Sequence, residues 1–207
     1  MKIAVHNIKG KETTKKVDLS KEIFGVEPND HAIYLDVKQY LASQRLGTHS
    51  SKERGAVKGS RRKLRKQKGS GAARVGDIKN PLFRGGGRVF GPRPRKYDFK
   101  VNKKVKRLAR KSALSYKLTQ KNIIIVEDFN FDNPSTKDYS STLANFDVLN
   151  NKTVLVLDKP NKNIFLSSRN LSRAKVVLAS ELNTYDIMNA NKMLFVESSI
   201  KELENNF

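Results

Sequence analysis

Residues 153–157 have the sequence Thr-Val-Leu-Val-Leu, a run of apolar side chains without the alternation of a half-exposed strand. Three similar runs lie in the C-terminal half, at 122–126 (NIIIV), 175–179 (KVVLA) and 192–196 (KMLFV). Strands that are apolar on both faces are typical of a parallel sheet with helices on both sides. The sequence therefore predicts an α/β fold, a three-layer domain with a mostly parallel central sheet flanked by helices.

Helical patterns lie between and after these runs, at 135–146, 161–169, 184–190 and 199–204. Towards the N-terminus, alternating apolar residues predict two short paired strands at 2–8 and 13–19. A helix capped by Asn29 or Asp30 is expected to follow and to extend to about Arg45.

A second long helix is predicted to begin at Asn102, whose side chain is a suitable N-cap. Its expected buried face consists of Val105, Leu108, Ala109, Ala113 and Tyr116. Most of its other positions are cationic. The helix should therefore pack on the core while it presents Lys and Arg side chains outward.

The charge of the chain is concentrated between residues 44 and 111. This stretch has 24 Lys and Arg residues and three acidic residues, so its net charge of +21 is nearly that of the whole chain, +22. It also holds ten of the twelve glycines. No helical or strand periodicity is present between 47 and 100. We predict that 1–46 and 101–207 form the globular α/β domain and that 47–100 form one long extended basic loop.

This loop is expected to need a partner for its order. Fixing 54 residues costs roughly 50–100 kcal/mol at ~1–2 kcal/mol each. Its few scattered apolar side chains, at ~1.5–3 kcal/mol each, cannot offset that cost. We therefore expect the loop to be mobile in isolation and ordered by binding. Two extended arms of about 27 residues each would reach at most about 90 Å.

Two motifs in the loop favour a nucleic acid as that partner. Residues 61–69 (RRKLRKQKG) hold six cations and no acid, and glycine lets backbone N–H groups approach phosphates. Residues 83–95 (FRGGGRVFGPRPR) interleave Arg, Phe and Gly, which suits contact with phosphates and stacking on unpaired bases. A disordered localisation signal and a flexible linker are the alternatives for these two motifs. The pI near 10.2 also allows an anionic membrane.

Signals for catalysis are weak. The chain has no Cys and no GxxxxGK[ST] motif, and 69–71 (GSG) lacks the spacing of a dinucleotide fingerprint. Glu127 and Asp128 are expected to be a solvated strand end. The isolated histidines are expected on the surface or at helix caps: His6, His31 and His49. We expect no catalytic residue, no cofactor and no metal. Without a signal peptide or a membrane-spanning run, we expect a soluble intracellular protein.

Over its full length the sequence resembles the L-four family of bacterial large-subunit ribosomal proteins. The matching motifs are Arg45-x-Gly47-Thr48, Arg65-x-Gln67-Lys68-Gly69-x-Gly71, Gly76-x-Ile78-Lys79-x-Pro81, Gly85-Gly86, Phe90-Gly91-Pro92-x-Pro94-Arg95, Val101-Asn102-Lys103-Lys104, Lys111-Ser112-Ala113-Leu114-Ser115 and Leu166-x-x-Arg169-Asn170-Leu171. Many relatives have Lys-Pro-Trp where this chain has Arg62-Lys63-Leu64, and an Arg where it has Ala72.

The resemblance implies a structural constituent of the large ribosomal subunit, cytoplasmic and ribosome-associated, and not an enzyme. Its implied partners are large-subunit ribosomal RNA, bound early in assembly, and neighbouring large-subunit proteins, with no membrane and no small-molecule substrate. The loop tip would form part of the polypeptide exit tunnel wall, and some members repress translation of their own operon. The implied tip residues are Arg65, Gln67, Lys68, Gly69 and Arg74.

The candidate RNA-binding residues are cations of the loop and of its flanking helices: Arg45, Arg54, Lys58, Arg61, Arg62, Lys63, Arg65, Lys66, Lys68, Arg74, Lys79, Arg84, Arg88, Arg93, Arg95, Lys103, Lys104 and Arg107. Two other hypotheses are left open by the sequence. One is an RNA-processing enzyme that uses Glu127, Asp128 or Asp158. The other is a DNA-compacting or membrane-binding protein, which needs the charge but no particular order of Gly, Pro and Arg.

Overall fold

The computed structural model describes all residues from Met1 to Phe207 and divides them into two compact units. The first unit consists of Met1–Leu41 and Lys100–Phe207, and the second of Ala42–Phe99. The first unit contains every strand and nearly all of the helical residues.

The first unit is built on one six-stranded sheet with the order β2-β1-β3-β6-β4-β5. Only the β1–β2 pair is antiparallel, and the other four pairs are parallel. The predicted mostly parallel sheet is therefore confirmed. The strands are β1 (Lys2–His6), β2 (Glu12–Asp18), β3 (Ile123–Val126), β4 (Thr153–Leu157), β5 (Ala174–Leu178) and β6 (Lys192–Val196).

Seven helices accompany the sheet: α1 (Lys21–Phe24), α2 (Asp30–Ser43), α3 (Lys103–Thr119), α4 (Thr136–Asn145), α5 (Lys162–Ser168), α6 (Thr184–Asn189) and α7 (Glu197–Asn205). All but α1 were predicted. A helix of four residues shows no periodicity in the sequence, although the Ser20 hydroxyl caps α1 by accepting a hydrogen bond from Glu22 N–H (3.3 Å). The Asn29 side chain caps α2 as predicted, by accepting a hydrogen bond from Ala32 N–H (2.9 Å).

The central strands β3, β4 and β6 are buried on both faces, as their continuous apolar runs predict, whereas the edge strand β5 is mostly half-buried. In β4, Val154 and Val156 belong to the apolar cluster that includes side chains of α1, α2, α3, α6 and α7. Leu155 and Leu157 belong to a second cluster with α4 and α5. Successive side chains of a strand point to opposite faces, so these two clusters are the two helix–sheet interfaces of a three-layer domain.

Helix α3 differs from its prediction in two respects. Asn102 occupies the N-cap position with extended backbone, but its side chain makes no capping hydrogen bond. Leu108 is exposed, whereas Leu114 is fully buried. The reason is that α3 packs on the core through its C-terminal part, where residues 112–115 are buried in succession. Leu108 precedes this covered part.

Hydrogen bonds fasten α3 to the segment that precedes and begins α2. The Ser115 hydroxyl donates to Val26 O (2.7 Å), and the Tyr116 hydroxyl donates to Asp30 Oδ1 (2.6 Å). The helices between which the second unit is inserted in the sequence are therefore held together by polar contacts as well as by the apolar core.

Candidate nucleic-acid interface

The second unit forms an out-and-back loop whose two arms are joined by their backbones. It contains no strand, and its only helical residues are the end of α2. Three hydrogen bonds link the arms, from Arg95 N–H to Gly47 O, from Ser51 N–H to Pro92 O and from Arg88 N–H to Lys52 O (3.1, 3.0 and 2.9 Å). The loop thus has an organised stem, although no apolar periodicity specifies it.

Two glycines allow the arms to approach closely. A Cβ on Gly87 would lie 2.3 Å from the backbone nitrogen of Arg54. A Cβ on Gly47 would lie 2.1 Å from Arg95 O, and Gly47 has a φ of +62°, which disfavours other residues. Side chains at either position would push the arms apart.

Two of the three acids of the second unit are paired within it. Arg54 Nη2 lies 3.0 Å from Asp77 Oδ1. The two groups form an ion pair without a hydrogen bond, because the geometry of the contact is not that of one. Arg93 Nε donates to Glu53 Oε1 (2.7 Å). The unit has 17 cations and three acids, so most of its cations have no acidic counterpart in the loop.

A cation–aromatic cluster joins residues from both ends of the loop. The guanidinium carbons of Arg45 and Arg95 lie 3.9 and 4.5 Å from the centre of the Tyr97 ring. His49 Nε2 lies 3.3 Å from the Tyr97 hydroxyl. A hydrogen bond with Arg95 and the charges of Arg95 and Arg45 lower the pKa of Tyr97. The cluster thus positions two candidate RNA-binding arginines together.

Neither Tyr97 nor His49 is predicted to be functional from the sequence. The available signal was the aromatic residue that follows the Arg-rich motif at 83–95. Nothing in the sequence indicated that Arg45, 52 residues earlier, lies against the same ring.

The tip of the loop is the segment from Leu64 to Gly76. One backbone hydrogen bond joins its two ends, from Leu64 N–H to Gly76 O (2.9 Å). Gly69 and Gly71 have φ values of +80° and +61° with open space around them. Lys63 Nζ donates to Gln67 Oε1. All five implied tip residues lie within this segment and are exposed. The segment therefore presents flexible cations on a backbone that can turn sharply.

The candidate RNA-binding cations are exposed, with one exception. Lys79 is buried, with 7% of its surface accessible. Its stem carbons Cγ and Cε lie 3.6 Å from the position of a Cβ on Gly59. In sequence Lys79 is one more cation of the loop, so its burial could not be predicted.

His6 and the strand-end residue Asp128 make contacts within the globular unit. His6 is half-buried, with its ring edge-on to Phe146 and its Nδ1 without a hydrogen-bond partner. The expectation that it lies on the surface or caps a helix is wrong. Asp128 accepts a hydrogen bond from Ser198 N–H (3.1 Å). No cluster of three or more His, Asp or Glu side chains could hold a metal ion, and no helix is long and apolar enough to cross a membrane.

Comparisons with known proteins agree with this arrangement. The family model described as "Ribosomal protein L4/L1 family" matches residues 17–206. The "Large ribosomal subunit protein uL4" of Christiangramia forsetii is 57% identical over 204 residues, covering 99% of this chain and 98% of the relative. The protein of the same name from Phocaeicola vulgatus is 58% identical over 205 residues, covering 99% of each. The corresponding protein of Flavobacterium johnsoniae is 55% identical over 206 residues, covering 100% of this chain and 99% of the relative. The resemblance to the L-four family is confirmed, and the chain belongs to the ribosomal protein L4/L1 family.

Proposed function

We propose that the chain is a structural constituent of the large ribosomal subunit that binds large-subunit ribosomal RNA through its loop and through α3. The family is structural and non-enzymatic, so the surface has to bind and shape RNA rather than perform chemistry. The observation that carries the proposal is the unbalanced charge of the second unit, with 17 cations and three acids, two of which are paired internally.

Phosphate neutralisation supplies the affinity in this proposal. Each Lys or Arg that contacts a phosphate releases condensed counterions, so binding is strong at low salt and weakens steeply as salt rises. Guanidinium groups can also contact phosphates through two hydrogen bonds and stack on bases. Because the loop has almost no regular secondary structure, its backbone can follow the surface of folded RNA.

The proposal also covers the place and time of binding. We assign the segment between Leu64 and Gly76 to the wall of the polypeptide exit tunnel, since it is exposed and includes much of the most cationic part of the loop. A loop surrounded by RNA has to be in place before that RNA folds around it, which supports binding early in assembly. As a ribosomal constituent, the chain would act in the cytoplasm and lie beside neighbouring ribosomal proteins. Repression of its own operon would use this same surface, and binding to the leader of its own messenger RNA would test it.

Salt-dependent RNA binding by the intact chain tests the proposal. We expect the logarithm of the association constant to fall with that of the salt concentration, with a slope near −0.9 per contacted phosphate in duplex regions. A full-length variant with the cations at 61–68 changed to Gln should have a shallower slope. A variant that lacks 50–95 should keep the circular dichroism of an α/β domain and bind more weakly, with a much shallower slope that comes from the cations of α3 and of the loop ends.

An unchanged slope in both variants would contradict the proposal. Competition with bulk DNA and with anionic vesicles at physiological salt separates it from the two alternatives that need only charge. We expect ribosomal RNA to displace both.

A further inference from the structure

A cavity of about 790 Å³ opens within the second unit. One part of its wall is apolar and consists of Val57, Leu64 and Ile78. The rest is strongly cationic and includes no acidic side chain: Lys58, Arg62, Lys63, Arg65, Lys66 and Arg84. An apolar wall beside a dense group of cations matches a ligand that has both an apolar face and a negative charge.

The apolar wall is left partly uncovered by the chain itself. Leu64 is 48% and Ile78 49% exposed, although both lie against the same concave surface. Gly59 keeps this surface open, because a Cβ there would lie 3.2 Å from Ile78 Cγ2. These side chains are therefore available to an apolar surface of a ligand, whose contact would remove them from water.

Lys79 completes the wall. It is largely buried and lines the cavity, while its neighbour Asp77 is paired with Arg54 instead. No acidic side chain lines the cavity, so Lys79 adds a seventh cation to a wall that has no internal counter-charge. The position of Lys79 thus favours an anionic group in the cavity.

We propose that this cavity accepts one unpaired nucleotide of the bound RNA, with its base against Leu64 and Ile78 and its phosphate among the cations. This inference rests on the proposed function and specifies which part of the RNA the loop selects. The volume lies within the range of about 300–1,000 Å³ typical of small-ligand sites, which suits a single nucleotide and not a duplex. Proteins generally recognise RNA sequence through such unpaired, splayed bases.

Two RNA hairpins of equal length and charge test the proposal, one with a single-nucleotide bulge and one fully paired. The full-length double variant Leu64→Ser/Ile78→Ser removes the apolar wall without changing charge. The matched control is Leu46→Ser/Leu82→Ser, which alters two leucines of the same unit that are 85% and 90% exposed and outside the cavity.

We expect the cavity variant to lose roughly fivefold in affinity for the bulged hairpin. Its affinity for the paired hairpin and its salt slope should stay unchanged, and the control should behave as the wild type. Equal affinities of the cavity variant and the control for the bulged hairpin would overturn the inference.

A second measurement uses the wild-type chain alone. With 2-aminopurine at the bulge, bound protein should shield the base from acrylamide quenching, whereas unshielded fluorescence would place the base outside the cavity and contradict the proposal.

Inorganic phosphate or a free nucleotide should compete poorly, because the rest of the RNA supplies most of the affinity. Complete competition by inorganic phosphate would mean a simple anion site and overturn the proposal. If the wild type bound neither hairpin with a steep salt slope, the proposed function itself would fail.

Discussion

The guanidinium carbon of Arg45 lies 3.9 Å from the centre of the Tyr97 ring, although the two residues lie at opposite ends of the loop. Arg95 contacts the same ring. Two like charges near one another repel, and the negative face of an aromatic ring partly offsets that repulsion. We infer that Tyr97 is a positioning residue, which holds two arginines at the base of the loop for contact with RNA phosphates.

Replacing Tyr97 tests this role. Tyr97→Ala removes the ring, and a loss of about 1 kcal/mol of cation–aromatic interaction corresponds to roughly fivefold weaker RNA binding. Tyr97→Phe keeps the ring and should bind nearly as well as the wild type, which a filter-binding titration can show. Equal losses in the two variants would instead assign the effect to the hydroxyl and its contact with His49.

Gly87→Ala should separate the two arms of the loop. The added Cβ would lie 2.3 Å from the Arg54 backbone nitrogen, and relief of such overlap typically costs about 1–3 kcal/mol. In the RNA-bound protein, the amide of Arg88, which donates to Lys52 O, should then exchange with deuterium at least about tenfold faster. Gly55→Ala is the matched control, since a Cβ at that position meets nothing within 4 Å. Similar exchange in both variants would show that the stem does not depend on this close approach.

Asp77→Asn should loosen the same stem by a smaller amount. Arg54 is more than half exposed, with 56% of its side-chain surface accessible, so water screens the ion pair and its loss should cost at most about 1 kcal/mol. Asp98→Asn changes the net charge equally at an exposed residue. Faster exchange of the Arg88 amide in Asp77→Asn alone, with a difference that shrinks at high salt, is the expected result. No difference between the variants would contradict the ion pair.

The hydrogen bond from Tyr116 to Asp30 predicts a pH dependence of the globular domain. This bond raises the pKa of Tyr116 above its ordinary value of 10.0. A raised folded-state pKa means that the stabilisation is fully present below pH 10 and is lost as the pH rises through the higher value.

Urea unfolding of the wild type and of Tyr116→Phe should therefore differ most below pH 10 and converge above it. The control is Tyr34→Phe, at an exposed tyrosine of α2, whose difference from the wild type should not change in this way. A gap for Tyr116→Phe that widened above pH 10 would reverse the sign and refute the assignment.

The sheet could be predicted from the sequence because its signals are local. The runs at 153–157 and 192–196 coincide with β4 and β6, and the run at 175–179 differs from β5 by one residue at each end. A strand buried on both faces has to be apolar throughout, so composition alone reveals it. The prediction that Leu108 is buried was wrong because its signal is not sufficient. Periodicity defines which face of a helix is apolar but not how far along the helix the core covers that face.

The organisation of the loop could not be predicted in the same way. The pairing of the arms depends on the absence of side chains at Gly47 and Gly87, and glycine has no periodic signature. The cluster around Tyr97 and the burial of Lys79 depend on contacts between residues distant in sequence. The charge of the loop predicts a polyanionic partner, whereas the contacts within the loop become visible only in the three-dimensional structure. That the loop is mobile without RNA stays a prediction.

The most direct test of the central proposal is to map the RNA around the loop tip inside the large subunit. The chain has no Cys, so a single Cys can carry a tethered iron chelate at Lys66→Cys in the tip or at Lys137→Cys on α4, both exposed positions. In reconstituted subunits, the tip probe should cleave ribosomal RNA that hydroxyl radicals generated in bulk solution do not reach, and the α4 probe only RNA that they do reach. Cleavage by the tip probe confined to solvent-accessible RNA would contradict a loop that penetrates the subunit.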